Sequence, residues 1–124
     1  MKLVICEKPS VAKAVASALG VTSRADGCFE GNGLIVSWCV GHLVSPMDAA
    51  GYDPGYKKWK YDDLPILPEP FRYVLAKGKE DAFQNLRHLM EREDVTELVN
   101  ACDAGREGEL IFRLVYEMAG CRKP

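Results

Sequence analysis

Two short, continuous apolar runs constrain the fold of this chain most, because a strand without polar alternation is buried on both faces. The runs are KLVIC at 2–6 and TELVNAC at 96–102, and each is followed by a helical pattern. Strands covered on both faces are typical of parallel sheets, whose crossover connections are helices. The sequence therefore predicts an α/β domain with a mainly parallel central sheet flanked by helices.

Three helical patterns accompany the strands. The first begins at Pro9 and is closed by Gly20, the second covers 80–91, and the third runs from Glu107 to Ala119. Each pattern has an apolar stripe that we expect to pack against the sheet. The predicted stripes are Val11, Ala14, Val15, Ala18 and Leu19 in the first helix; Ala82, Phe83, Leu86, Leu89 and Met90 in the second; and Leu110, Ile111, Leu114, Val115 and Met118 in the third.

The middle of the chain has a different character. Asn32-Gly33 is a hairpin turn signal between β-prone segments, which adds an antiparallel portion. From Pro46 to Pro70 the chain contains five prolines and little periodicity, so we predict a long ordered excursion across the surface. The run FRYVLA at 71–76 predicts a further strand.

Composition excludes several classes of protein. At 124 residues and 48% hydrophobic, the chain can form one domain with its own core. A net charge of −2 excludes nucleic-acid binding through bulk positive charge, so such binding needs a local patch or a metal. Cys6, Cys39 and Cys102 lie in apolar runs and no CxxC occurs, which predicts reduced thiols. No run is long enough for a signal-peptide core or a membrane span, so we expect a cytoplasmic protein.

Acidic residues follow both buried strands. Glu7 comes directly after the first and Asp103 directly after the other, while Glu107 lies four residues further on. Ligands of an open parallel sheet bind outside the carboxyl ends of its strands, so these carboxylates face one crevice if the strands are neighbours. Convergent carboxylates repel one another unless a cation binds between them, and an all-oxygen donor set suits Mg²⁺. The sequence thus predicts a magnesium site formed by Glu7, Asp103 and Glu107.

Basic residues stand beside these acids. Lys8 follows the first acid, and Arg106 precedes Glu107. Together with two helix N-termini, they would supply donors directed at a phosphate beside the metal. The chemistry implied is that of a phosphodiester or phosphoryl group.

A purely structural interpretation of the same segment is open. Asp103 could cap the following helix, Glu107 could be a first-turn acid favoured by the helix dipole, and Arg106 could be a solvated residue. On this segment alone the structural and the functional interpretation carry equal weight. Glu7 and Lys8, which follow the other buried strand, favour a functional site. Glu109 is interpreted as a structural or exposed helix residue.

Four segments together resemble a known family. They are EKPSVAKAVASAL at 7–19, LIVSWCVGHL at 34–43, YDPGYKKWKYDDLPILP at 52–68 and DAGREGELI at 103–111. In this order they are similar to the N-terminal Toprim domain of type IA DNA topoisomerases, in particular to bacterial topoisomerase III. The resemblance covers essentially the whole chain. It implies a Toprim (Rossmann-like) fold with an added hairpin, in a single domain at 1–124 that would be the N-terminal part of a larger multidomain topoisomerase.

The resemblance also implies catalytic roles. Glu7 looks like the family's catalytic glutamate beside the scissile phosphate, which acts in proton transfer at the sugar 3′ oxygen or in metal-linked positioning of that group. Lys8 matches the basic residue that follows this glutamate and is a candidate for contacting the phosphate. Arg106 is a further catalytic and DNA-binding candidate.

The segment from Asp103 to Glu107 is similar to the family's magnesium-binding element, DxDxE. Gly105 stands where that pattern has its second aspartate, which leaves Glu7, Asp103 and Glu107 as expected ligands, with water in the missing place. Gly105 is interpreted as suiting a tight strand-to-helix turn and a close backbone approach. The variant form recurs among topoisomerase III-like sequences, so it is not interpreted as inactivating.

Two further residues, His42 and Trp59, resemble family positions near DNA. Trp59 lies among three lysines, an arrangement that suits stacking on an unpaired base. For His42, a structural role with satisfied hydrogen bonds is slightly favoured over DNA contact. For Trp59, packing of the long excursion onto the domain and stacking on DNA carry equal weight. The expected DNA-binding residues are Lys8, His42, Trp59 and Arg106.

The resemblance finally implies partners. The family's nucleophilic tyrosine lies in a separate downstream domain, and none of the five tyrosines here occupies a matching motif, so these residues alone should not relax DNA. We expect Mg²⁺ as cofactor and a nucleoid-associated location. The expected partners are single-stranded DNA, the remaining domains of the same chain and a helicase.

Three alternative functions are open. One is another Toprim phosphodiester enzyme, a nuclease or primase. The second is a nucleotide-binding or regulatory module, although the usual glycine-rich motifs are absent here, and the third is a DNA-binding domain whose acids are helix caps.

Overall fold

A five-stranded sheet forms the centre of the computed structural model, which describes residues 1–124. The strands are β1 Lys2–Cys6, β2 Ser23–Ala25, β3 Cys28–Gly31, β4 Leu34–Trp38, β5 Val44–Pro46, β6 Tyr73–Leu75 and β7 Glu97–Ala101. The helices are α1 Pro9–Ala18, α2 Ala49–Tyr52, α3 Glu80–Glu91 and α4 Arg106–Met118. None of these helices has both the length and the apolar character that a membrane span requires.

The central strand of the sheet is β1, and the strand order is β2-β3-β4-β1-β7. It pairs in parallel with β4 on one side and β7 on the other, so that Cys6 lies opposite both Trp38 and Ala101. The two predicted buried strands are therefore neighbours, and their carboxyl ends lie at the same edge. This confirms the α/β fold with a parallel core.

The predicted hairpin turn is also confirmed. β3 and β4 pair antiparallel and are joined by Asn32 and Gly33, whose φ angles are 51° and 75°. Positive φ at both central residues is the geometry of a type I′ turn, which matches the twist of the flanking strands. β2, which the sequence did not predict, extends this antiparallel edge.

Two hydrophobic layers cover the sheet. Alternate residues of β1 point to opposite faces, with Leu3 and Ile5 in the larger cluster beneath α3 and α4, and Val4 and Cys6 in the smaller cluster beneath α1. The predicted stripe of α3 is confirmed: four of its five members are buried and the fifth is partly buried. They are Phe83, Leu86, Leu89 and Met90, with Ala82.

The predicted stripe of α1 is wrong. The helix buries Ala12 and Ala16, whereas Val11 and Leu19 are 36% and 45% exposed. Small alanine side chains bring the helix close over β1 and β4; Val15 is partly buried against the same cluster, and Val11 and Leu19 face outward. The apolar spacing could not identify the buried face, because alanines occur on several sides of this helix.

The stripe of α4 is partly wrong. Ile111, Leu114 and Val115 are buried as predicted, but Leu110 and Met118 are 43% and 36% exposed. Phe112, which the stripe omitted, is buried instead. The buried face is therefore rotated slightly from the one that was predicted.

The excursion from 46 to 70 contains α2 and two short 3₁₀ helices, Pro54–Lys58 and Tyr61–Asp63. The strand predicted at 71–76 is limited to Tyr73–Leu75 and does not join the central sheet. It pairs antiparallel with β5, which was not predicted, and the two strands form a separate ribbon.

Candidate functional site

The carboxyl groups of Glu7 and Asp103 are neighbours at the edge where β1 and β7 end. Hydrogen bonding with Asp103 raises the pKa of Glu7 above its ordinary value, and desolvation and the negative charge of Asp103 act in the same direction. The positive charges of Lys8 and His42 lower it. The pair therefore holds a proton more readily than an isolated carboxylate does, or it attracts a cation in its place.

The third predicted ligand, Glu107, has a different partner. Its Oε2 lies 2.9 Å from Nε2 of His42, and both side chains are substantially exposed. No group of three histidine, cysteine, aspartate or glutamate side chains is arranged to hold a metal ion. The structure thus brings two of the expected ligands together and places the third on His42.

The donor chemistry of this edge fits Mg²⁺. The acid pair of Glu7 and Asp103 offers only carboxylate oxygens, and Mg²⁺ is commonly held by one or two carboxylates while it retains several waters.

Two basic side chains flank the acid pair. Lys8 precedes the first residue of α1, and Arg106 is the first residue of α4. Both are exposed, and neither makes an ion pair within the chain. They are free to bind an anionic group next to the acids.

The interpretation of Asp103 as a helix cap is wrong. The capping position of α4 is Gly105, and no side chain makes a capping hydrogen bond there. Glu109, in contrast, has the structural role that was predicted. Its carboxylate accepts hydrogen bonds from Asn100 Nδ2 at 2.8 Å and from Arg113 Nε at 2.5 Å.

The two glycines of the segment DAGREGE have different environments. Gly105 has extended backbone, with φ at −172°, and a Cβ there would meet nothing within 4 Å, so its interpretation as a position of close backbone approach is wrong. Gly108 is the constrained one: an added Cβ would lie 2.0 Å from the carbonyl oxygen of Asp103. The sequence contains no signal that separates them, because both glycines lie in the same charged motif.

Cysteine side chains lie beneath the acid pair. Cys6 and Cys102 precede Glu7 and Asp103, and all five cysteines of the chain are free. Burial raises the pKa of Cys6 to about 11, so this thiol is neutral at physiological pH. The pKa of Cys102 is shifted the other way: a hydrogen bond with Cys39 lowers it.

The tryptophan predicted to contact DNA is 58% exposed. Trp59 lines a depression of about 460 Å³ together with Asp48, Ala49, Ala50, Tyr56 and Lys57. Part of the ring packs on the excursion, and the rest is open to a ligand. The neighbouring Lys58 and Lys60 are also exposed.

Comparison with known proteins gives a consistent result. The family model described as "Toprim domain" matches residues 2–123. The chain is 45% identical over 123 residues to DNA topoisomerase 3 of Shouchella clausii, which is 99% of this chain and 17% of that protein. It is 42% identical over 122 residues to DNA topoisomerase 3 of Bacillus subtilis and 39% identical to that of Staphylococcus saprophyticus, with 98% of this chain and 17% of each relative covered. The chain thus spans about 17% of the length of the curated relatives it matches.

Proposed function

Because the chain belongs to the Toprim family, we propose that it is the magnesium-binding catalytic domain of a type IA, topoisomerase III-like DNA topoisomerase. Such an enzyme transiently cleaves and religates one DNA strand and needs no ATP for strand passage. The observation that carries this proposal is the pair of neighbouring carboxyl groups, Glu7 and Asp103, at the carboxyl ends of adjacent parallel strands.

In this proposal Glu7 and Asp103 hold Mg²⁺, and Glu107 becomes a third ligand after it leaves His42. The bound cation would supply positive charge that offsets the charge of a phosphate and of the two carboxylates. Gly105 contributes no ligand, and the open space around it has room for water.

Glu7 is proposed to act at the sugar 3′ oxygen, either by proton transfer or, when it holds Mg²⁺, by positioning that oxygen through the metal. The raised pKa of the metal-free Glu7 supports proton transfer, because a protonated carboxyl can donate to the oxygen that leaves on cleavage and recover the proton on religation. Lys8 and Arg106 are proposed to bind the non-bridging phosphate oxygens, since both are exposed cations without an acidic partner.

The attacking tyrosine is proposed to come from another domain of the same protein, and the 1–124 domain is proposed to be inactive by itself. This is tested by incubating the purified chain with supercoiled plasmid and Mg²⁺. We expect no change in linking number. Magnesium-dependent relaxation by these residues alone would overturn this part of the proposal.

The proposed substrate is single-stranded DNA, with Trp59 as one stacking platform and the adjacent lysines as phosphate contacts. Beyond the other domains of the chain, a helicase is proposed as partner, and the cytoplasmic nucleoid as location. Replacement of Trp59 by alanine should weaken binding of an oligothymidylate by about 1–3 kcal/mol, the range found for one stacked base.

The metal site is tested by titrating Mg²⁺ into the isotope-labelled chain and recording two-dimensional amide NMR spectra. Saturable shifts are expected around Glu7, Asp103 and Glu107 in the wild-type chain. They should be lost in Asp103→Asn and retained in Asp26→Asn, which removes an exposed carboxylate from the turn between β2 and β3. Shifts of equal size in both variants would mean that the acid pair does not bind the metal.

A further inference from the structure

A pocket of about 450 Å³ lies beside α1, on the face of the sheet that this helix covers only in part. It is separate from the depression next to Trp59 and from the acid pair. Six side chains give the pocket its chemistry: Ser10, Lys13, Thr22, Arg24, Phe29 and Trp38.

The pocket follows from the way α1 packs. The small residues Ala12 and Ala16 draw the helix onto β1 and β4, and no other helix covers β2 and β3 on that face. Arg24 on β2 lies directly opposite Phe29 on β3, so both side chains are on one face of the sheet. The helix and this uncovered strand pair form the two walls of the pocket.

The charge of the pocket is positive. Lys13 comes from α1 and Arg24 from the facing strand, and neither makes an ion pair or a side-chain hydrogen bond within the chain. The hydroxyl groups of Ser10 and Thr22 add hydrogen-bond donors, and no carboxylate lines the pocket. In a chain whose net charge is −2, two unpaired cations facing one cavity are complementary to an anion such as a phosphate.

The pocket also has an aromatic wall. The ring centroids of Phe29 and Trp38 are 5.8 Å apart and their planes are inclined by 51°. Both side chains are only partly buried, so ring surface remains open toward the cavity. An aromatic wall in the same cavity as two cations is an arrangement that can bind a base together with its phosphate.

We propose that this pocket binds one nucleotide of a single-stranded nucleic acid, with its phosphate at Lys13 and Arg24 and its base against Phe29 and Trp38. The choice of a strand over a free nucleotide rests on the proposed function and on position. Trp38 lies opposite Cys6, the residue before Glu7, so a strand held here leads toward the acid pair. The pocket would thereby fix the path of the strand outside the cleavage site.

The test measures binding of fluorescein-labelled oligothymidylate to the 124-residue chain by anisotropy, in EDTA and at several salt concentrations. The variant is Lys13→Gln with Arg24→Gln, and its charge-matched control is Lys77→Gln with Arg122→Gln, two exposed cations outside the pocket. We expect the variant to bind about tenfold more weakly than the control. Its plot of log affinity against log salt should be shallower by about 0.7, the change expected when one phosphate contact on a single strand is lost.

A second measurement reports on the aromatic wall. The chain has two tryptophans, so Trp59→Phe leaves Trp38 as the only one. Its fluorescence should be quenched as unlabelled oligothymidylate binds, and the quenching should require severalfold more ligand after the Lys13 and Arg24 substitutions.

Three outcomes would overturn the proposal: equal losses in the variant and its control, an unchanged Trp38 signal, or thymidine 5′-monophosphate binding as tightly as the oligonucleotide. The last outcome would identify a free-nucleotide site instead. Because these measurements exclude Mg²⁺, their failure leaves the test of the acid pair by NMR unaffected, and failure of that test leaves these measurements interpretable.

Discussion

Gly108 and Asp103 are in such close backbone contact that a Cβ on the glycine would lie 2.0 Å from the carbonyl oxygen of Asp103 and 2.8 Å from its nitrogen. The first turn of α4 thereby fixes the backbone of Asp103, which precedes the helix. Any side chain at position 108 must move either the helix or Asp103, and both contacts are with backbone atoms that cannot rotate away.

We therefore expect Gly108→Ala to lower the free energy of unfolding by about 3 kcal/mol or more, as overpacking against rigid backbone does. Helix propensity alone predicts the opposite sign, a gain of about 1 kcal/mol for alanine over glycine. Gly105→Ala is the matched control: the space around position 105 is open, so we expect only the loss of about 0.5–1 kcal/mol that alanine causes at a helix N-cap. Urea unfolding of both variants checks this, and similar values for the two would contradict the assignment.

Gly105→Asp should be accommodated and should strengthen magnesium binding. The extended backbone at this position suits any residue, and aspartate is a preferred residue at a helix cap. An added carboxylate ligand is expected to tighten the affinity about tenfold, or about 1.4 kcal/mol. Isothermal titration of Mg²⁺ into Gly105→Asp and Gly105→Asn separates charge from shape. Equal affinities for these two variants would show that position 105 does not face the metal.

His42→Ala should leave the fold intact and make Glu107 available. The two side chains are exposed, so their ion pair contributes at most about 1 kcal/mol to stability. If Glu107 must leave His42 to reach the metal, removing the histidine should tighten Mg²⁺ binding by up to about fivefold, equivalent to about 1 kcal/mol. His88→Ala, an exposed histidine on α3, serves as control. Weaker binding in His42→Ala would show that His42 supports the site in place of competing for Glu107.

The acid pair predicts a specific dependence of stability on pH. Because the folded chain raises the pKa of Glu7 above 4.5, the stabilisation from its protonated form is complete below that pH and is lost as the pH rises through the folded value. Without divalent cations, the melting temperature of the wild-type chain should therefore fall relative to that of Glu7→Gln as the pH is raised toward neutral.

Glu93→Gln, which removes an exposed acid without a partner, should show no such divergence from the wild-type chain. Addition of Mg²⁺ at neutral pH should restore the wild-type chain and not Glu7→Gln, because the cation replaces the proton between the two acids. Parallel melting curves for the wild-type chain and Glu7→Gln across the whole pH range would contradict the hydrogen-bonded pair.

The meeting of Glu7 and Asp103 could be predicted from the sequence because it depends on two simple rules. Continuous apolar runs become neighbouring buried strands, and the carboxyl ends of parallel strands share one edge. The contact of His42 with Glu107 could not be predicted, since it depends on how the loop after β4 folds over α4. No periodic pattern encodes such a path.

Two of the errors have a common physical origin in small residues. Alanine is compatible with either side of a helix, so the spacing in α1 indicated an amphipathic helix without identifying its buried face at Ala12 and Ala16. The glycines at 105 and 108 are likewise indistinguishable until the distance to a neighbouring backbone is known. In α3 the large apolar side chains lie on a single face of the helix, and that face was correctly predicted to be buried.

The position of β1 between β4 and β7 has a consequence for when the site can exist. During synthesis on the ribosome β1 leaves the exit tunnel before its two partners, and its acid has no companion until β7 has emerged and paired with it. A nascent or partly refolded chain therefore carries Glu7 as an ordinary, isolated carboxylate. The two acids meet only when β7 pairs with β1, so that a chain in which they form a pair is one whose first and last strands have already come together.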